Sequence, residues 1–208
     1  MAASTTAKGT PQPMPAASPV TLRGDHVVLE PLRTEHAQEL WPAASERDLW
    51  AYMAYDVAGV EDLRRWIADR AAPQARGEAL PFLLRDARTG EAFGSSSLFD
   101  INAAFHTLEL GHTWVGASHR RTAANTEAKL LLLGHAFVTL GAIRVQLKCD
   151  ARNLRSAAAI ERIGAVREGV IRHQRLLPDG HKRSAVVFSI TDDEWPAVQA
   201  RLSSRLAR

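Results

Sequence analysis

Hydrophobic and polar positions repeat most regularly between residues 108 and 165 of this chain. Residues 108–115 read as a strand, and a polar turn separates them from a run of good helix formers that starts at Thr126. The apolar positions of that run recur at spacings of three and four: Leu130, Leu133, Phe137 and Leu140. This spacing predicts a helix with one buried face, which Gly141 ends.

A second unit of the same kind follows directly. Residues 144–150 alternate between apolar and polar side chains, which predicts a strand with one covered face. Its apolar positions are Val145, Leu147 and Cys149. Asn153 is a good helix N-cap ahead of residues 154–163, and Gly164 is suited to stop that helix.

The other segments complete a sheet with helices beside it. Apolar and polar patterning predicts further strands at residues 26–32, 80–85, 92–101, 166–176 and 183–190. Gly-containing hairpin turns are predicted at residues 86–90 and 178–180. Helices are predicted from Thr34 to a disruptive Pro42, over residues 60–70, and after a cap at Asp192 or Asp193. This order predicts an α+β fold with a mixed, mostly antiparallel sheet of about six to seven strands and helices on both faces.

Length and composition predict one folded domain with a tail. A chain of 208 residues with 46% hydrophobic residues can build one substantial core, so residues 20–208 are predicted to form a single domain. Residues 1–19 are mostly Ala, Ser, Thr and Pro, and Lys8 is their one charged side chain. Such a segment buries too little apolar surface to offset its ordering entropy, so a disordered tail is predicted. It lacks the apolar core of a secretory signal, and no window reaches the length of a membrane span.

Cysteine content and charge narrow the function classes. Cys149 is the only cysteine, so a disulfide within the chain is impossible and a cytoplasmic location is favoured, with a buried, inert thiol. The formal net charge of +3, with a pI near 9.4, suits an anionic ligand. It is too small to favour nucleic acid, although a basic nucleic-acid-associated protein is a rival that a steep salt dependence of retention would reveal. No metal site is predicted.

The junction between the first strand and the first helix is the strongest chemical signal. Arg120 and Arg121 stand just before the helix. Unpaired N–H groups and the positive dipole end make a helix N-terminus a ready phosphate site, and arginine adds fork-shaped donors. The alternative interpretation is an ordinary strand, loop and helix with an exposed basic turn.

Residues 109–164, and more loosely residues 21–196, resemble the GNAT superfamily of acetyl-CoA-dependent N-acetyltransferases, and within it the RimJ/RimL-like group of protein N-terminal acetyltransferases. The family loop has Gln or Arg, two residues, Gly, one residue, and Gly or Ala, and its main-chain amides hold the CoA pyrophosphate. Arg120 matches the first position, whereas Ala123 and Asn125 replace the usual small residues. The cofactor-binding residues implied by this resemblance are Trp114, Val115, Arg120, Arg121, Thr122, Ala123, Ala124, Asn125, Thr126 and Asn153.

The cost of these departures from the family loop depends on the backbone conformation at the two positions. Alanine in place of glycine costs roughly 1 kcal/mol or more in a left-handed conformation. It costs nothing in the first turn of a helix, where φ is negative, and asparagine tolerates left-handed geometry better than most residues. The resemblance implies an acyltransferase with acetyl-CoA as co-substrate. The alternative is a GNAT-like sensor or partner protein that binds acyl-CoA without transfer, or that has lost the cofactor.

The resemblance also implies where the chemistry takes place. Acetyl-CoA would lie where two central strands separate, with main-chain N–H groups near Trp114 and Val115, after a bulge, polarising the thioester carbonyl. Asn153 would reach the pantetheine amides, merely cap its helix, or do both. Ser156 stands where a hydroxyl would donate to the departing sulfur, and the alternative is a serine on a helix surface.

Glu109 and His112 are the candidate general bases. His112 has an ordinary pKa of about 6.5, which suits base work, or it is simply a packed strand residue. Glu109 would act through a water or only hold neighbouring structure. Because the two positions are three apart on one strand, their side chains are expected on opposite faces and cannot both line one cleft.

The acceptor is predicted to be a primary amine. Family members use the segment between the first two strands as one wall of the acceptor site, which makes Trp50, Tyr52 and Tyr55 candidate contacts, with core packing as the alternative for each. An α-amine with a pKa of about 8 is roughly a tenth neutral at pH 7, whereas a lysine amine at about 10.4 is far less so. A peptide N-terminus or a small-molecule amine, attacking directly in a ternary complex, is therefore favoured over an internal lysine. Dimers are common in the family, so a homodimer is also expected.

Overall fold

The computed structural model describes residues 13–207, which form an eight-stranded sheet with helices beside it. The strands are β1 (Leu22–Arg23), β2 (Val27–Pro31), β3 (Ala79–Asp86), β4 (Ala92–Asn102), β5 (Thr107–Val115), β6 (Arg144–Asp150), β7 (Val166–Leu176) and β8 (Lys182–Thr191). The helices are α1 (Ala37–Ala44), α2 (Val60–Ala71), α3 (Ala123–Gly134), α4 (Leu154–Ile163) and α5 (Trp195–Leu206). No helix within residues 13–207 combines the length and the apolar character that crossing a bilayer requires.

The strands lie in the order β1-β2-β3-β4-β5-β6-β8-β7, and β5–β6 is the one parallel pair within the described chain. Helices α1 and α2 cover one face of the sheet, and α3, α4 and α5 cover the other. The predicted α+β fold with a mixed, mostly antiparallel sheet is confirmed. The predicted count of six to seven strands is too low, because β1 has only two residues and shows no alternation for a pattern to detect.

Two helices have ends that follow the capping chemistry that the sequence predicted. Asn153 caps α4, its side-chain oxygen accepting from the Ser156 N–H at 3.0 Å. Gly164 ends α4 with a φ of 109°, and Gly141 takes a φ of 69° after the π-helical turn that extends α3. Both helix stops are as predicted, since only glycine adopts these values without strain.

Pro42 does not end α1, which continues to Ala44. A proline removes its own N–H from the hydrogen-bond ladder, but here the next turn still closes. The Ser45 N–H donates to the Trp41 carbonyl at 2.9 Å. The prediction that Pro42 disrupts this helix is therefore wrong.

α3 starts at Ala123, just after the two arginines as the sequence predicted, and the two alanines before Asn125 join its first turn because they are good helix formers. The start of α5 differs from the predicted one. α5 starts after Glu194, and not after Asp192 or Asp193. The Glu194 carboxylate accepts a main-chain N–H from the end of β8 at 2.9 Å, which fixes this later start.

A hydrophobic cluster fills each face of the sheet. The cluster under α3 and α5 includes Phe82, Phe93, Leu132 and Phe188. The cluster under α1 and α2 centres on Trp50, Trp66 and Trp114, whose ring centroids lie 5.6 to 6.2 Å apart. The tryptophans tie α2, the loop after α1 and the end of β5 into one rigid unit, so they position the strand that carries the candidate site.

Residues 1–12, most of the predicted disordered tail, lie outside the described residues. Met14 and Ala17, also within that predicted tail, are buried in the cluster under α3. The Met14 N–H donates to the Ala103 carbonyl at 3.3 Å. The packed part of the chain therefore begins before residue 20, because these two apolar side chains find room at the edge of the core.

Candidate active site

The sheet opens between its two central strands, β5 and β6. Their parallel ladder joins only Thr107–Glu109 to Arg144–Gln146. Beyond Glu109 the edge of β5 that faces β6 has no strand partner among residues 13–207, whereas β6 stays paired with β8 as far as Asp150. A wedge-shaped gap therefore separates the two strands, at the place where the resemblance implies the cofactor.

β5 carries a bulge beside this gap. Ser97 pairs with Gly111 and Ser95 with Trp114, so two steps along β4 match three along β5. His112 occupies the bulge with a φ of 48°, a left-handed value that is uncommon for a residue with a side chain. Bulges bend a strand and re-aim its side chains, and here the bend accompanies the separation of β5 from β6.

The expectation that Glu109 and His112 point to opposite faces is wrong, because the bulge shifts the alternation by one residue. The strand neighbours of Glu109 are buried under α3, so Glu109 itself faces the α2 side. His112 also faces α2, where its Nε2 lies 3.0 Å from an Arg70 guanidinium nitrogen. Thr113 points the other way and accepts from Lys129 Nζ of α3 at 2.9 Å. Glu109 and His112 therefore share one face.

Lys129 supports the bulge from the α3 side and was missed in the sequence. Its Nζ donates to Thr113 and, at 3.3 Å, to Ser96, and no carboxylate among residues 13–207 pairs with it. Burial lowers the pKa of Lys129 to about 7. The position falls outside the apolar spacing of α3, so no periodic pattern marked it as buried.

His112 is half-buried and neutral. Its ring stacks on Phe99 with centroids 4.0 Å apart. Burial, and then the charge of Arg70, lower the pKa of His112 to about 3, with further contributions from Arg175 and Lys148. Because arginine can only donate, the Nε2 of His112 accepts and Nδ1 carries the proton, which has no partner among the described residues. With its lone pair occupied, this ring is a weak base.

Glu109 has the geometry that a base needs. It is 5% exposed, and its Oε2 contacts Lys148 Nζ at 2.7 Å and Gln146 Nε2 at 3.1 Å. Burial raises its pKa, which the contact with Lys148 only partly offsets. Its Oε1 lies toward Gly111, 3.7 Å from where an added Cβ would stand, and it is not the oxygen that contacts Lys148 and Gln146. Oε1 is the proton acceptor that this face offers.

The three predicted acceptor contacts separate into two groups. Trp50 is 6% exposed and its indole N–H donates to a main-chain carbonyl of α1 at 2.9 Å, so it packs in the core. Tyr55 is half-buried and its hydroxyl accepts from Arg70, which also binds the candidate histidine. Tyr52 lies under the Arg152 guanidinium, 5.6 Å from the ring centroid. The two tyrosines thus stand near opposite ends of the polar face.

The first turn of α3 has the shape that the family loop requires without its glycines. The Thr122 hydroxyl donates back to the His119 carbonyl at 2.9 Å, so no side chain within residues 13–207 caps this helix. Ala123 and Asn125 lie inside the helix, and the positive φ of the loop, 63°, falls on Arg121 instead. Alanine therefore carries no conformational cost here, and the open N–H groups can receive an anion.

Arg120 is committed to the protein itself. Its Nε donates to the Val115 carbonyl at 3.1 Å, and a terminal nitrogen binds Glu46 Oε2 at 2.8 Å. The other oxygen of Glu46 accepts from the Ala117 N–H at 2.8 Å. Arg120 thus shapes the loop, while Arg121 is the exposed arginine of the pair.

The remaining predicted cofactor contacts offer mainly main-chain groups. The Trp114 side chain is 3% exposed inside the tryptophan cluster, and Ala124 is buried against the sheet. Val115 and Thr126 are half-buried. The side chains of Trp114 and Ala124 are therefore not available to a ligand, so these two positions can contribute only main-chain groups.

Asn153 and Ser156 lie at the end of β6, on the far side of the gap. The side-chain oxygen of Asn153 is used by the cap, which leaves its amide nitrogen as a donor. Burial raises the pKa of the Cys149 thiol, and a hydrogen bond with the Ser156 hydroxyl lowers it in part. Ser156 is half-buried, and its hydroxyl lies on the side of α4 that faces this thiol.

Sequence reasoning missed Arg70, Glu46, Gln146 and Lys148. The last two were recognisable as the polar side of an alternating strand, so their shared face was available from the pattern. Arg70 and Glu46 contact residues 42 and 74 positions away in sequence, and no local pattern indicates such a contact.

Comparison with known proteins agrees with this geometry. The Acetyltransferase (GNAT) domain family matches residues 26–166, more than half of the chain. The Probable N-acetyltransferase YjcK of Bacillus subtilis (strain 168) is 29% identical over 157 residues, covering 73% of this chain and 86% of that protein.

Solved structures show the same fold. A GCN5-related N-acetyltransferase from Brucella melitensis superposes with a TM-score of 0.86 at 28% identity, covering 93% of this chain and 88% of that one. Mycobacterium smegmatis RimJ in complex with CoA-disulfide gives a TM-score of 0.72 at 23% identity, covering 90% and 93%, which is a likeness of fold. The protein is an acyltransferase, and the chain belongs to the GNAT family of acetyltransferases.

Proposed function

We propose that this protein is an acetyl-CoA-dependent N-acetyltransferase that moves an acetyl group to a primary amine by direct attack in a ternary complex. The gap between β5 and β6 carries the proposal. The uncapped N-terminus of α3 follows β5, and Glu109 lies where the two strands begin to separate. The CoA-disulfide in RimJ, a protein of the same fold, supports a CoA ligand here. The acceptor is a peptide N-terminus, as the RimJ/RimL-like assignment implies, or a small-molecule amine.

The reaction needs one bond made, one broken and one proton removed. The amine nitrogen attacks the thioester carbonyl carbon, the carbon–sulfur bond breaks, and the sulfur leaves as the CoA thiol. Main-chain N–H groups near Trp114 and Val115 would stabilise the oxyanion, a contribution of about 2.7 to 4 kcal/mol for such a donor. Glu109 Oε1 would take the amine proton, and the Ser156 hydroxyl would donate to the departing sulfur.

An acceptor panel tests this function directly. Acetyl-CoA is supplied with peptide α-amines, small-molecule amines and a lysine side-chain amine while release of the CoA thiol is followed. Near pH 7 the α-amines should react faster, since roughly a tenth of an α-amine is neutral and far less of a lysine amine is. If calorimetry finds tight acetyl-CoA binding and no amine releases thiol, a cofactor-binding sensor replaces the transferase.

If Asn153 and Ser156 have the proposed roles, replacing either side chain should lower turnover while the protein stays folded. Asn153→Ala and Ser156→Ala should each lower kcat about tenfold, the size of one functional hydrogen bond. Asn153→Ala also removes the cap of α4, at about 1 kcal/mol, whereas Asn153→Asp keeps the cap oxygen and replaces the amide donor with a negatively charged acceptor. The readouts are kcat and circular dichroism. Wild-type rates in all three variants would remove both roles.

A charge placed in the first turn of α3 tests the pyrophosphate site. Ala123→Glu should raise the Kd of acetyl-CoA about tenfold or more over that of Ala123→Gln, because the added carboxylate opposes the phosphates. The same charge favours the positive end of the helix by about 0.3 to 1 kcal/mol, so stability should not fall. Calorimetric titration and thermal melting measure the two effects. Equal Kd values for the pair would place the pyrophosphate elsewhere.

A further inference from the structure

Two arginines lie side by side on the polar face that carries Glu109. Asp150 of β6 pairs with Ala185 of β8, and Arg183 stands two residues along β8, so it lies on the same face. Arg175 of β7 pairs directly with Arg183. Like charges placed directly opposite each other across a strand pair are destabilising, so this arrangement calls for an anion beside it.

Arg183 has no hydrogen-bonded counter-ion. Its side chain is 14% exposed, and its buried Nε lacks a hydrogen-bond partner among the described residues. The carboxylate of Asp150 stands 3.8 Å from that nitrogen, but Arg152 already binds both of its oxygens, at 3.1 and 2.8 Å. A buried guanidinium with a donor left over is a preformed site for an anionic group.

Arg70 approaches the same space from α2. Its guanidinium binds only uncharged groups, the ring of His112 and the hydroxyl of Tyr55. The charge of Arg175 also reaches His112 and helps to lower its pKa, so Arg70 and Arg175 act on one region. Within residues 13–207 neither arginine forms a salt bridge. We refer to Arg70, Arg175 and Arg183 as the arginine cluster.

The carboxylates of this face neutralise the arginine cluster only in part. Glu109 pairs with Lys148 at 2.7 Å, and Asp150 pairs with Arg152. Two more carboxylates, one on β4 and one in the turn between β7 and β8, act on Glu109 and on Arg152 respectively. Positive charge therefore remains beside the position at which the amine must deliver its proton.

We propose that the acceptor is a peptide N-terminus with an acidic side chain at its second or third residue, whose carboxylate the arginine cluster binds. This inference rests on the proposed acetyl transfer and names its substrate class. Strands lie about 4.8 Å apart, so β8 is roughly 10 Å from β5. Arg183 also lies six residues along β8 from Ser189, which is in register with Glu109 across β6, so the arginine cluster stands at least roughly 10 Å from Glu109. The carboxylate of a free amino acid lies too close to its amine to span that distance. An extended peptide advances about 3.3 Å per residue, so a side chain one or two residues on reaches it.

The test measures kcat/KM with acetyl-CoA for amidated peptides that differ at one position. Ser-Glu-Ala-Ala, Ser-Gln-Ala-Ala and Ser-Lys-Ala-Ala are compared, together with the series in which the variable residue is third, and with free glutamate. In at least one series the glutamate peptide should exceed the glutamine peptide about tenfold or more, and the lysine peptide should be the poorest. Raised salt should narrow the differences, because part of this face is open to solvent.

Arg175→Glu should reduce the ratio of kcat/KM for the glutamate peptide to kcat/KM for the lysine peptide at least tenfold. Arg175 is exposed, and the new carboxylate would face Arg183, so the variant replaces like charges with opposite ones and should fold. Arg167→Glu is the matched control, since Arg167 lies on the same strand but pairs with Phe188 and faces the other side. The control should keep the wild-type ratio.

The outcomes separate this inference from the function on which it rests. If no amine is acetylated, the proposed function itself fails. If amines are acetylated but the three peptides of both series react equally, or Arg175→Glu and Arg167→Glu give the same ratio, the acidic-peptide inference alone is overturned. Free glutamate reacting better than every peptide would overturn it as well, because the spacing argument would then be wrong.

Discussion

Glu109→Gln is expected to lower kcat about 10²-fold or more, because it removes the candidate base on the acceptor face. The loss should grow with the pKa of the amine, since a lysine-like acceptor needs more proton removal than an α-amine. Steady-state rates with acceptors of graded basicity measure this. His112→Phe keeps the stack on Phe99 and should cost less, because the lone pair of His112 already accepts from Arg70.

The pH profile separates the two base candidates. In the proposed reaction the carboxylate form of Glu109 is the base, so kcat should fall as the pH drops through its pKa. Because burial raises that pKa, this acidic limb of the pH profile should lie above the ordinary value of 4.5. The limb should vanish in Glu109→Gln. His112, with a pKa of about 3, contributes no limb near neutral pH. A wild-type rate in Glu109→Gln, or a limb near 6.5 that His112→Phe removes, would transfer the role to the histidine.

Glu127→Ala is expected to lower the free energy of unfolding by about 4 kcal/mol, which is large for one side chain. The buried Glu127 carboxylate accepts three main-chain N–H groups, from Asp25 at 2.9 Å, His26 at 2.6 Å and Val27 at 2.8 Å. Alanine would leave these donors in the turn between β1 and β2 without partners. Urea unfolding followed by circular dichroism measures the change.

Gly24 gives this stability prediction an internal control. A Cβ at Gly24 would lie 2.3 Å from the Glu127 carboxyl carbon, so Gly24→Ala should destabilise the wild type as well. In the Glu127→Ala background the obstruction is gone, and Gly24→Ala should cost little. Additive losses in the double variant, or a loss below 1 kcal/mol in Glu127→Ala, would contradict this account of the turn.

Local chemistry predicted most of the fold. The alternation of residues 144–150, the Asn153 cap and the Gly164 stop each depend on a few neighbouring residues, and the structure has all three. The face of His112 was predicted wrongly for a reason that no alternation reveals. One extra residue in β5 depends on pairing with β4, and it reverses the face of His112 relative to Glu109.

The candidate site was only partly predictable for the same reason. The first turn of α3 follows from the order of strand, basic loop and helix formers. Ala123 is tolerated only if another residue of the loop takes the positive φ, and in the structure that residue is Arg121. Arg120 satisfies the family pattern by identity, yet it binds Glu46, which lies 74 residues earlier. Such a partner is chosen by tertiary packing and leaves no periodic signal.

The two contacts of Glu46 have a mechanical consequence. One of its oxygens accepts from Arg120 and the other from the Ala117 N–H, in the connection that leads into α3. Glu46 also lies at the start of the chain segment that carries Tyr52 and Tyr55. A single carboxylate thus links the connection into α3 to the chain segment that carries the two tyrosines. These two sides of the cleft therefore move together while both contacts are formed.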